Sequence, residues 1–92
     1  MDIPELDINI VSVYGRDGCI NCDSAKSLLE ESNVPYIYYN CELFIQNDIT
    51  KFKKNMFRMM GQHYFPYKKI NFPVIFDGLT LIDNNNLEKI LS

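Results

Sequence analysis

The spacing of apolar residues changes period several times along the chain. Ile8-Asn9-Ile10-Val11-Ser12-Val13-Tyr14 is β-branched, aromatic and nearly continuous in apolar character, which predicts a buried strand. Gly15 to Gly18 read as a turn with glycine at both ends. From Asn21 to about Ser32 the pattern is helical, with Cys22, Ala25, Leu28 and Leu29 on one face. Asn33 and Pro35 end that helix, and Tyr36 to Asn40 form a second strand. A short β-α-β crossover of this kind predicts parallel strands and a right-handed connection.

Asn47 or Asp48 caps the next predicted helix, which runs to about Met60 with Ile49, Phe52, Met56 and Met59 as its apolar stripe. Lys51, Lys53 and Lys54 fall off the stripe and are expected to face water, and Gly61 fits the C′ position. Phe72 to Phe76 is a strand entered through Pro73, and Asp77-Gly78 signals a hairpin into Thr80-Leu81-Ile82. Asn84 or Asn85 then caps a last helix carrying Leu87, Ile90 and Leu91. The expected order is β-α-β-α-β-β-α. It predicts an α/β domain with a central mixed four-stranded sheet flanked by helices.

Composition sharpens this picture. A length of 92 residues leaves room for one core, so residues 1–92 are expected to form a single domain. A net charge of −3 argues against a nucleic-acid binder working through a broad basic surface. No apolar run approaches the roughly 20 residues of a membrane helix. The first residues, Met1 to Asp7, are acidic and carry neither the basic nor the apolar part of a secretory signal. A cytoplasmic protein with no membrane partner is therefore the expectation.

The chain has three cysteines, too few for a disulfide-stapled scaffold. Two form a C-x-x-C pair, Cys19-Ile20-Asn21-Cys22. Cys19 falls where the first strand ends and the helix begins. Unpaired backbone N–H groups and a partial positive charge there favour a thiolate over a thiol. Arg16 adds a fixed positive charge on the same loop. Cys22, one turn inside, is within reach of a disulfide with Cys19. Cys19 is then the exposed attacking thiol and Cys22 the buried resolving one. A zinc site built from this pair with Cys41 and His63 is the bland alternative, but those residues lack a second paired knuckle. Cys41 is expected to be buried and inert, His63 to be a surface loop residue, and the Met56, Phe57, Met59 and Met60 cluster to be core.

These residues resemble a known family. Val13-Tyr14-Gly15-Arg16-Asp17-Gly18-Cys19-Ile20-Asn21-Cys22 and the helix after it are similar to the active-site segment of glutaredoxins. Phe72-Pro73-Val74-Ile75-Phe76-Asp77-Gly78 resembles their proline-led strand and turn, and Leu87 to Leu91 their last helix. The resemblance implies a thioredoxin fold and a monomeric glutathione-dependent thiol-disulfide oxidoreductase. It would hold no permanent cofactor and use glutathione as reductant. Its partners would be disulfide-containing proteins, with ribonucleotide reductase a family-level example. It implies catalytic roles for Cys19 and Cys22, and glutathione contacts from Arg16, from the Phe72 backbone and from a cis Pro73. It departs from the family in carrying Ile20-Asn21 where Pro-Tyr is usual. The family's Gly-Gly segment corresponds to Ile82-Asp83-Asn84-Asn85-Asn86, which lacks the glycines, and Asn85 and Asn86 are the residues expected to hold the γ-glutamyl end. Two other readings of the same dithiol are a thioredoxin-like electron donor served by a reductase protein and a glutathione-ligated iron–sulfur carrier.

Overall fold

A computed structural model describes residues 3–82 of the chain. The described elements are β1 (Val11–Gly15), α1 (Ile20–Glu31), β2 (Tyr36–Asn40), α2 (Glu42–Asn47), α3 (Ile49–Met59), β3 (Val74–Asp77) and β4 (Thr80–Ile82). They form a small α/β domain whose mixed sheet has the strand order β2-β1-β3-β4. Strand β1 pairs parallel with β2 and antiparallel with β3, and β3 pairs antiparallel with β4. This arrangement is compatible with a thioredoxin-like fold. The expected last helix, with its cap at Asn84 or Asn85 and with Leu87, Ile90 and Leu91, lies outside the described residues.

Every residue of β1 is buried, because the strand is covered on both faces. Val11 and Val13 point to one face and pack with Ala25 and Leu29 of α1 and Ile75 of β3. Tyr14 points to the other and packs with Phe52 and Met56 of α3, Val74, Phe76 and Cys41. The Tyr14 ring stacks on Tyr39 at 4.8 Å and meets Phe76 edge-on at 6.0 Å.

Local chemistry sets the element ends. Helix α1 stops at Asn33, which takes φ 58° while its N–H bonds the Glu30 carbonyl and the Val34 N–H bonds that of Leu29. Gly61, with φ 71°, closes α3 in the same way through Arg58 and Phe57. Asp48 caps α3, its carboxylate accepting from the Lys51 N–H at 3.1 Å. The hairpin places Gly78 at its first central position with φ 62°, as a type II′ turn prefers.

Four expectations need correction. The element order gains a helix, α2, between β2 and α3. Its six residues are too short to show a period, and Phe44 and Ile45 are adjacent in sequence. Strand β1 begins at Val11, not Ile8, because Ile8 is 66% exposed and ahead of the ladder. Leu28 and Ile49 leave their predicted stripes for the surface, at 42% and 51% exposure, and Phe57 is buried instead of Ile49. Phe72 and Pro73 precede the third strand instead of opening it.

Candidate functional site

The C-terminal end of β1 delivers the chain into the loop 16–18 and then into α1. Gly18 takes φ 73°, a turn conformation that favours glycine, and Cys19 follows as the N-cap of α1. Its Sγ accepts a hydrogen bond from the Cys22 backbone N–H at 3.2 Å. An N-cap sulfur held by a helix N–H is stabilised as an anion by the same group that orients it. Cys22 is fully buried, whereas Cys19 is half-buried. The two sulfurs lie at disulfide distance with a Cα separation of 5.2 Å. Cys19 and Cys22 thus differ in exposure in the direction the sequence predicts.

The loop is tied to the end of β2. The Cys41 N–H bonds the Gly15 carbonyl at 2.8 Å, and the Asn40 side chain donates to Asp17 at 2.7 Å. Asn40 also accepts from the Glu42 N–H at 3.0 Å. Glu42 in turn binds Arg16 at two points, Nε at 2.8 Å and a terminal nitrogen at 3.4 Å. The ion pair holds the Glu42 carboxyl below the usual carboxylate range and raises the Arg16 guanidinium further. Arg16 therefore reaches the site already paired, with its guanidinium 6.0 Å from the Phe72 ring centre.

The Phe72–Pro73 peptide bond is cis, and Phe72 is half-buried beside the dithiol. A hollow of about 490 Å³ lies between Cys19 and Asn21 on one wall and Ile70, Asn71 and Phe72 on the other. It adjoins a second hollow of about 350 Å³, floored by Ile45, Ile49 and Phe52 and edged by Lys53 and Lys69. Arg16, Ile70 and Phe72 line both.

The structure thus gathers Cys19, Cys22, Arg16, Phe72 and Pro73 into one region, and Asn85 and Asn86 lie outside the described residues. Cys41 sits apart in the core, where burial pushes its thiol up to about 12. His63 is on an exposed loop. Among the described residues, no group of three or more His, Cys, Asp or Glu side chains is placed to hold a metal.

Two groups escaped the sequence reading. Glu42 is the partner of Arg16, and its signal is topological: parallel pairing sets Gly15 opposite Asn40, which carries Glu42 to the Arg16 loop. Tyr38 is the other. A β-carbon on Gly15 would lie 2.5 Å from the Tyr38 hydroxyl oxygen and 2.9 Å from Cys22 Sγ. Only glycine leaves space there for the sulfur and the phenol.

The Arg16–Glu42 pair makes stability depend on acid. A carboxyl with a lowered folded pKa contributes stability that is complete above its unfolded pKa and is lost as pH falls through the folded one. Glu42→Gln should therefore melt below the parent at neutral pH, by a small margin for so exposed a pair, and the two melting curves should converge in acid. Melting temperatures across pH test this; a gap that is constant at every pH would rule the pair out as its source.

The chain matches no family model and none of the curated proteins.

Proposed function

We propose that the chain is a glutaredoxin-type thiol-disulfide oxidoreductase that reduces protein disulfides or glutathione mixed disulfides with glutathione as the electron source. The observation that carries the reading is the Cys19–Cys22 pair at disulfide distance, with Cys19 capping α1 and facing an open hollow.

The chemistry begins with the Cys19 thiolate attacking one sulfur of the substrate disulfide. A Cys19–substrate disulfide forms and the other substrate sulfur leaves as a thiolate that takes a proton from water. Cys22, after losing its proton, attacks Cys19 Sγ. The Cys19–Cys22 bond forms and the second substrate sulfur leaves reduced. One glutathione thiolate then opens the intramolecular disulfide and a second releases the first as oxidised glutathione. Two thiols are oxidised for each disulfide reduced. The hollow between Asn21 and Phe72 suits a small thiol peptide.

The paired state of Arg16 favours a second reading, a thioredoxin-like donor recharged by a reductase protein. An arginine already bound to Glu42 offers less to a ligand carboxylate. A coupled assay decides between them. Reduction of a glutathione mixed disulfide should draw on glutathione, glutathione reductase and a reduced nicotinamide cofactor, and should saturate with glutathione. No turnover with glutathione, but turnover with a thioredoxin reductase, would move the assignment to the second reading.

A further inference from the structure

The resolving cysteine poses a problem that the site described so far does not answer. Cys22 is 0% exposed, so water cannot solvate its thiolate. Its own backbone N–H is already spent on Cys19 Sγ. A buried thiol whose anion has no donor stays protonated, because burial raises a thiol's pKa, as it does at Cys41.

We propose that the Tyr38 hydroxyl is that donor, holding the Cys22 thiolate through an O–H···S hydrogen bond when the resolving thiol ionises. The proposal rests on the dithiol reading of Cys22. Its ground is that both groups crowd the same side of Gly15. The hydroxyl oxygen, the ring Cε2 and Cys22 Sγ all lie within 2.9 Å of the point a Gly15 β-carbon would occupy. Sheet register explains the meeting: Tyr38 pairs with Val13, so its ring lies beside Val13 and Gly15 on the face that α1 covers.

Neighbouring groups leave the hydroxyl free for this role. Tyr36, two residues back on the same face, gives its hydroxyl to Glu30. The Tyr38 hydroxyl has no hydrogen-bond partner among the described residues. The Lys26 ammonium, 4.1 Å from the ring centre, holds the phenol in place from α1. Asp23 on α1, Asp17 on the loop and Cys41 after β2 are the other titratable groups acting on it. Desolvation and these negative charges raise the phenol above its ordinary value. The hydroxyl therefore keeps its proton through neutral pH and acts as a donor, not as a base. Cys22 gives its proton to solvent, Tyr38 stabilises the sulfur anion left behind, and that anion attacks Cys19. Lys26 and Asp23 pair with each other at 3.6 Å, so their opposite charges offset at this site.

The test uses Tyr38→Phe, which keeps the ring and removes only the hydroxyl. In a Cys19→Ser background, the carbon-13 shift of the Cys22 β-carbon titrates Cys22 apart from Cys41 and the six tyrosines. Loss of a hydrogen bond to a charged group should raise the Cys22 midpoint by about one pH unit. With both cysteines present, a mixed disulfide of Cys19 with a chromogenic aromatic thiol should resolve about tenfold more slowly at neutral pH and recover in alkali. Tyr36→Phe removes a hydroxyl from the same face and should change neither quantity. An unmoved midpoint overturns the proposal, as does a slowing that is equal at every pH, which would mark a packing role. If the midpoint moves but the coupled assay shows no turnover with any reductant, Tyr38 keeps its role and the oxidoreductase reading fails.

Discussion

Cys19→Ser should abolish reduction of every disulfide substrate, while Cys22→Ser should stop protein-disulfide release and spare removal of glutathione from mixed disulfides. The asymmetry follows from exposure and position. Cys19 is half-buried at the N-cap of α1 and opens onto the hollow, so of the two sulfurs it is the one a disulfide substrate would reach. Cys22 is sealed beneath it and can reach only Cys19 Sγ. Without Cys22 the Cys19–substrate disulfide has no internal exit, but an external thiol still reverses a bond to glutathione. Serine keeps the size and the cap but is not a nucleophile at neutral pH, so the loss is chemical, not structural. Rates with a protein disulfide and with a glutathione mixed disulfide, measured on both variants, give the pattern. Alkylation of Cys22 before Cys19 at neutral pH would reverse the assignment.

The parts of this site legible in the sequence are those set by local rules. Cys19 at a strand-to-helix junction, Gly61 and Asn33 at helix ends and Gly78 in the hairpin each depend on a few adjacent residues. The parallel pairing of β1 with β2 and the β3–β4 hairpin follow from the same local signals, whereas the place of β3 beside β1 does not. Helix α2 escaped because six residues with adjacent Phe44 and Ile45 show neither a helical nor a strand period. Glu42 escaped for a related reason: it stands 26 residues from Arg16, and only the parallel register brings them together. In sequence Tyr38 is one of the tyrosines of β2, with nothing local to set it apart. Its distinction is what lies opposite, the missing side chain of Gly15, and that is a property of two strands at once. Leu28 is a simpler case. It fits the helical stripe of α1, but Ala25 and Leu29 already fill the space above Val11 and Val13.

Phe76→Ala should be the most damaging core substitution of those the fold suggests, and it should spare the dithiol. Phe76 is fully buried on β3, the strand that joins β1 to β4. Its ring meets Tyr14 edge-on and shares a cluster with Cys41, Phe52, Met56 and Val74. Removing a buried phenylalanine ring costs about 3–5 kcal/mol, the lost transfer energy plus the cavity left behind. Domains of this size have only about 5–15 kcal/mol in total. Each kcal/mol moves the melting temperature by roughly 4–8 °C here, so a fall of at least about 12 °C is expected. Phe76→Leu keeps much of the volume and should fall less. Cys19 and Cys22 belong to α1, on the opposite face of the sheet from this cluster. Below its melting temperature the alanine variant should therefore alkylate Cys19 at the parent rate. A melting temperature within about 3 °C of the parent would mean that the cluster collapses around the gap. A changed Cys19 rate in the folded variant would mean that the cluster reaches the dithiol, through β1 or through Phe72, which packs against the cluster and lines the hollow.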